Sequence, residues 1–174
     1  MSVDDRRILA SWAADRAEHV LAVFEDATRD DGRVRAAIDQ ARSFAAGDLD
    51  VAEAVRRRGG EAGVAAREAL TPAARAAAYA AEQAAAVAHM GAHALGAAGY
   101  AAQASRLAAG VEGDAVARAE ARRQVAAMTD AVADALSRLP ALGENRSGPL
   151  GPGRLSDGHV GYAIRAIQEL LEDH

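Results

Sequence analysis

TPAARAAAYAAEQAAAVAHMGAHALGAAGYAAQASRLAAG, residues 71–110, is the stretch whose reading decides the fold. Thr71-Pro72 opens it with a hydroxyl suited to cap a helix and a proline suited to the first helical position, where no N–H is needed. Alanine, the strongest helix former, then dominates as far as Gly110. The run 72–109 is too long for one ordinary globular helix, and Gly91, between His89 and His93, is the expected division into two. Residues 83–105 contain no Asp, Glu or Arg, as a membrane span would. They are mostly alanine and glycine, however, with Gln83, His89, His93 and Gln103 among them, and large aliphatic side chains are too few to drive insertion. The expectation is a buried helix pair in a soluble protein.

On the N-terminal side, Ile8, Leu9, Trp12, Ala13, Ala17, Val20, Leu21 and Phe24 recur at three- and four-residue steps and predict one amphipathic helix. A second helix is expected over 33–46, packed through Val34, Ile38, Ala41 and Phe44 and stopped by Gly47. Asp50, with Glu53 three positions on, starts a third that runs toward Leu70, and Gly59, Gly60 and Gly63 predict a break or kink in it. On the C-terminal side, a turn over 110–114 leads to a helix whose apolar face is Val125, Met128, Val132, Leu136 and Leu139, ended by Pro140. Residues 140–155 hold Gly143, Gly148, Gly151 and Gly153 and three of the chain's four prolines, which predicts a flexible loop with few side chains to bury. Added volume should therefore clash at Gly96 and be tolerated at Gly148. Ser156 or Asp157 should cap a last helix with Val160, Ile164, Ile167 and Leu171 on its apolar side. The fold class expected is all-α: 1–174 as one domain, a closely packed bundle of about six to seven alanine-rich helices. Its aromatic anchors are Trp12, Phe24, Phe44, Tyr79, Tyr100 and Tyr162, and it is a monomer or a symmetric homodimer, the dimer slightly favoured.

Composition excludes several chemistries. The 174-residue chain has no cysteine, so disulfides, thiol nucleophiles and cysteine-ligated metals are out. All 20 basic residues are arginine; without lysine there is no Schiff-base site and no Walker A loop. A net charge of −5 with interspersed signs argues against a nucleic-acid partner, and the one basic run, Arg56-Arg57-Arg58, reads as a solvated helix face. Asp4, Asp5, Arg6 and Arg7 precede only a short apolar stretch, unlike a signal peptide, so the cytoplasm is the expected compartment. No Gly-x-Ser-x-Gly elbow occurs.

The sharpest constellation is His89 and His93. Four apart, they would share a face of an unbroken helix, a spacing that can hold a metal. Glu82 lies seven residues before His89 and Tyr100 seven after His93, near the same face. Two imidazoles and a carboxylate suit a divalent cation with open positions. This is the alternative reading, a metal-binding hydrolase; packing and hydrogen bonding account for paired histidines more simply, with no cofactor required. Asp15 and His19 have the spacing of an exposed ion pair. Trp12 and Tyr100 are candidate contacts for a ligand or partner, although Trp12 sits in the apolar stripe. His159 and Tyr162 share a helix face.

Ser11-Trp12-Ala13-Ala14-Asp15-Arg16-Ala17-Glu18-His19-Val20-Leu21 with Phe24-Glu25 resembles the opening of the Imm-5-like immunity proteins of bacteria. The likeness continues through Arg33-Val34-Arg35-Ala36-Ala37-Ile38 and Ala66-Arg67-Glu68-Ala69. Its best block is Ala88-His89-Met90-Gly91-Ala92-His93-Ala94-Leu95-Gly96-Ala97-Ala98-Gly99-Tyr100-Ala101. The remainder is similar to actinobacterial relatives often labelled exonuclease subunits, but the chain has no Walker motif and no long coiled coil. The resemblance implies a helical protein-binding module without catalysis, its partner a protein toxin of a contact-dependent or polymorphic system.

Overall fold

In the computed structural model, which describes residues 1–57, 60–110 and 114–172, the regular structure is all helix, with no strand among the described residues. Among the described residues, ten helical segments take the place of the six to seven expected: α1 Val3–His19, α2 Leu21–Ala27, α3 Arg33–Ala46, α4 Val51–Arg57, α5 Gly60–Glu68, α6 Pro72–Ala86, α7 His93–Ala108, α8 Asp114–Ala126, α9 Asp130–Ser137 and α10 Gly158–Glu172. The surplus comes from divisions that an apolar stripe does not reveal. At Val20 the amide donates to the Ala17 carbonyl, and the Val23 amide donates to Val20. This three-residue step separates α1 from α2 while the stripe continues across it. The stripe of 125–139 is likewise divided, because the Thr129 hydroxyl accepts from the Val132 amide and starts α9 afresh.

Other boundaries follow the local signals. Thr71 caps α6 by accepting from the Ala74 amide at 3.1 Å, with Pro72 behind it. Gly47 ends α3 at a φ of +87°, a left-handed conformation that glycine adopts without steric cost. Asp50 accepts from the Glu53 amide at 2.9 Å. Ser2 and Asp5 form a reciprocal capping box at the start of α1. The break expected near Gly59 and the turn expected over 110–114 lie wholly or largely outside the described residues. Gly63 does not interrupt α5 but lies inside it, buried. Ser156 turns its hydroxyl back to Gly153 rather than onto α10.

α6 and α7 are the inner hairpin. α6 packs against α1, α2, α3 and α5 as well as α7, and α7 packs also against α1, α8 and α10. Such crowding needs small side chains. Nine alanines of α6 are buried, and Ala94, Ala97, Ala98, Ala101, Ala102 and Ala104 are buried in α7. A larger residue at most of these positions would push a neighbouring helix outward. The larger core residues sit around the hairpin: Leu9, Trp12 and Phe24 from α1 and α2, Ile38 and Phe44 from α3, Ile164 and Ile167 from α10. The hairpin turn is braced by the N-terminus. Arg6 donates to the Ala88 carbonyl, and a Cβ at Gly91 would collide with Met1 Sδ and approach Leu9 Cδ1 to 3.2 Å.

The connection 140–155 is irregular, as its composition predicts, but it does bury side chains. Leu150 is fully buried and Leu155 is 6% exposed; both belong to the main apolar cluster. Gln168 of α10 accepts from the Leu142 amide and donates to the Pro140 carbonyl, each at 3.0 Å. A Cβ at Gly148 would meet only the end of the partly exposed Asn145 side chain, which can swing aside, whereas one at Gly151 would fall 2.3 Å from the Asn145 carbonyl oxygen, which cannot.

Candidate functional site

Most residues of α6 face a neighbouring helix, so its incompletely buried positions are few. Beyond the first turn they are Tyr79, Glu82 and Gln83, at three- and four-residue steps on one side. The matching positions on α7 are His93 and Tyr100, seven apart. The result is a strip of large polar and aromatic side chains on a hairpin otherwise made of alanine and glycine. Glu82, Gln83, Ala86, His89 and His93 line a cleft of about 290 Å³ at the turn end of this strip.

Within the strip the groups engage each other. The Tyr79 and Tyr100 rings lie 5.2 Å apart between centroids, tilted by 35°, a favourable aromatic geometry. Gln83 Oε1 lies 2.8 Å from His93 Nδ1. The amide oxygen can only accept, so in this bond Nδ1 donates. Gly96 makes this arrangement possible: a Cβ there would fall 2.4 Å from Gln83 Oε1 and 3.0 Å from Leu155 Cδ1. Gly63 does the same for Glu82, since its Cβ would fall 2.2 Å from Glu82 Oε1. Burial pushes the Glu82 carboxyl above the usual carboxylate range, and attraction to Arg67 and Arg154 offsets part of that. Burial likewise raises the Tyr100 phenol. Arg154, from the 140–155 connection, places its guanidinium carbon 5.6 Å from the centroid of the Tyr79 ring, a cation–π distance.

The structure thus brings together Glu82, His89, His93 and Tyr100. The two histidines do not share an unbroken helix, because α6 ends at Ala86 and α7 begins at His93. Their ring centroids are 6.5 Å apart, and the Glu82 carboxylate is turned toward Gly63 on α5. Among the described residues no group of three or more His, Cys, Asp and Glu side chains is placed to hold a metal ion. Trp12 is not brought to the strip; it is 4% exposed in the core, with Arg16 stacked 5.9 Å from its ring centroid. Asp15 faces Arg42 at 3.5 Å rather than His19. Arg56 and Arg57 both pair with Glu53, and Tyr162 accepts from Arg118 at 3.2 Å.

Three members of the strip escape a reading by spacing from the histidines: Tyr79, Gln83 and Arg154. Tyr79 is three residues before Glu82, so one further helical step finds it. Arg154 carries no local signal. A second polar cluster also goes unannounced. Gln124, fully buried, donates to the Ala98 carbonyl at 3.2 Å and to Glu120 Oε1 at 2.9 Å. Burial pushes the Glu120 carboxyl up, but hydrogen bonds from Arg123 and Gln124 and the charges of Arg123 and His19 outweigh it and leave it low. These bonds fasten α8 to α7. The cavity beside α3 and α5, about 310 Å³, is lined by Arg33 and Arg57, which already pair with Asp31, Glu68 and Glu53.

A family model described as Imm-5 like putative immunity protein matches residues 1–131, a span that holds the whole α6–α7 hairpin. No curated protein and no solved structure matches the chain.

Proposed function

From the premise that the chain belongs to the Imm-5 like putative immunity protein family, we propose that it is a protein-binding module that neutralises a bacterial protein toxin by covering part of it. The observation that carries this reading is the strip on the α6–α7 hairpin. A core that needs alanine nearly everywhere holds two tyrosines, a half-buried carboxylate and a hydrogen-bonded Gln–His pair on an incompletely buried side. Packing does not call for polar groups there, and Tyr and Arg are the side chains that dominate binding energy at protein interfaces. The net charge of −5 favours a basic partner and speeds encounter with it.

The reading is tested by co-expressing the chain with toxin-like proteins encoded beside it and scoring survival and co-purification. Rescue by the native chain, lost when Tyr79 and Tyr100 are both replaced by alanine in a variant that still melts cooperatively, is the expected result. Absence of any rescue and any co-purifying partner across those candidates overturns it. The metal-dependent alternative has its own check. Near-stoichiometric metal in untagged protein, lost in a His89→Ala/His93→Ala variant, would replace the binding module with a metal site.

A further inference from the structure

We propose that Tyr79, Tyr100 and Glu82 form a cage for a cationic group, and that Arg154 fills it from within the chain until a guanidinium of the partner displaces it. The proposal rests on the binding reading above and specifies what the strip recognises. Two aromatic rings whose centroids lie 5.2 Å apart, and a half-buried carboxylate one helical turn along α6 from Tyr79 whose charge reaches Tyr100, are the components that attract a cation out of water: the quadrupole of the Tyr79 ring, over which Arg154 lies, and the charge of the carboxylate.

A cation is already there. The Arg154 guanidinium carbon stands 5.6 Å from the Tyr79 centroid, and its charge acts on both Glu82 and Tyr100. Its hold is weak. No close ion pair joins Arg154 to Glu82 among the described residues, and Arg154 is exposed where its neighbour Leu155 is buried. Leu155 sits against Gly96, inside the strip. The chain is therefore anchored beside the cage by one residue while the next lies across it on a flexible stem. Such a tether gives Arg154 a high local concentration without a strong bond, which makes it a replaceable occupant. Arginine suits the exchange, because its planar, weakly hydrated head stacks on rings more readily than an ammonium does.

The experiment is an NMR titration that follows the ring resonances of Tyr79 and Tyr100, with acetyl-arginine amide as one probe and tetramethylammonium as the other. Removing the tether with Arg154→Ala should tighten acetyl-arginine amide binding by about tenfold, a difference of about 1.4 kcal/mol, and shift both rings. Arg154→Ala/Glu82→Gln should lose most of that binding. Arg154→Gln, which keeps most of the stem, should behave as Arg154→Ala does. A preference for the guanidinium probe identifies a protein arginine as the occupant. Equal or tighter binding of tetramethylammonium supports the cage but assigns it to a free small cation. Rings that stay still in Arg154→Ala at tens of millimolar of both probes, or equal affinity in the native chain and the variant, overturn the proposal. Should a toxin be captured equally well by the native chain, Glu82→Gln and Tyr79→Leu, the cage is wrong and the binding module stands. A cage that binds its probe in a protein that neutralises no candidate toxin leaves the cage standing and removes the immunity role.

Discussion

At the scale of single residues, glycine divides into positions that admit another helix and positions that merely loosen the chain. Gly96 belongs to the first kind. Its missing Cβ is where Gln83 Oε1 sits on its way to His93. Gly96→Ala should lower stability by about 1–3 kcal/mol through overpacking and release the His93 ring from its hydrogen bond. Gly60 belongs to the second: nothing lies within 4 Å of a Cβ there. Gly60→Ala should be neutral or gain up to about 1 kcal/mol of helix propensity. Urea denaturation of the two variants decides the matter, and similar midpoints for both would mean that the hairpin is looser than its contacts imply. The spacing of Glu82, His89, His93 and Tyr100 presumed one unbroken helix; what gathers them is the packing of α7 back on α6 across the turn 87–92. The partner of His93 was not legible, because which nitrogen meets which amide depends on the packing of α6 on α7.

At the scale of elements, legibility followed the physics of each boundary. Thr71-Pro72, Asp50 and Gly47 act through their own backbone, so the sequence shows them directly. Gly91 marks the division of the hairpin, though the turn spans the whole stretch from Val87 to Ala92. Val20 carries no such mark: no glycine, proline or capping side chain stands there, and the apolar stripe runs across the break. Thr129 did carry a mark, a capping threonine before Asp130, which the stronger periodicity of Val125 through Leu139 overrode. The connection 140–155 was read from glycine and proline content, which reports backbone freedom and says nothing of where Leu150 and Leu155 go. Leu150→Ala measures that difference. A fully buried leucine should cost about 2–5 kcal/mol on truncation, whereas a leucine on a detached loop would cost under about 0.5 kcal/mol. Thermal melts distinguish the two outcomes.

For the whole molecule, two carboxylates pull its pH profile in opposite directions. Glu82 titrates above the usual value of 4.5 when folded, so the native state holds a proton that the unfolded chain has released, and stability from this group falls as pH rises through that window. Glu82→Gln should melt higher than the native chain at neutral pH, with the gap closing in acid. Glu120 titrates below 4.5; its contribution is present at neutral pH and fades as pH falls, so Glu120→Gln should melt lower at neutral pH and converge in acid. A Glu82→Gln protein that is more stable yet captures its partner poorly would show a residue kept for binding at the expense of the fold. The core and the strip can also be watched separately. Trp12 is the chain's single tryptophan, and its indole is sealed in the core under Arg16, whereas the paired tyrosine rings are only partly buried. Its fluorescence is thus a built-in optical gauge of folding. Blue emission should persist while a ligand perturbs the tyrosine absorbance and should redden only when the core itself admits water.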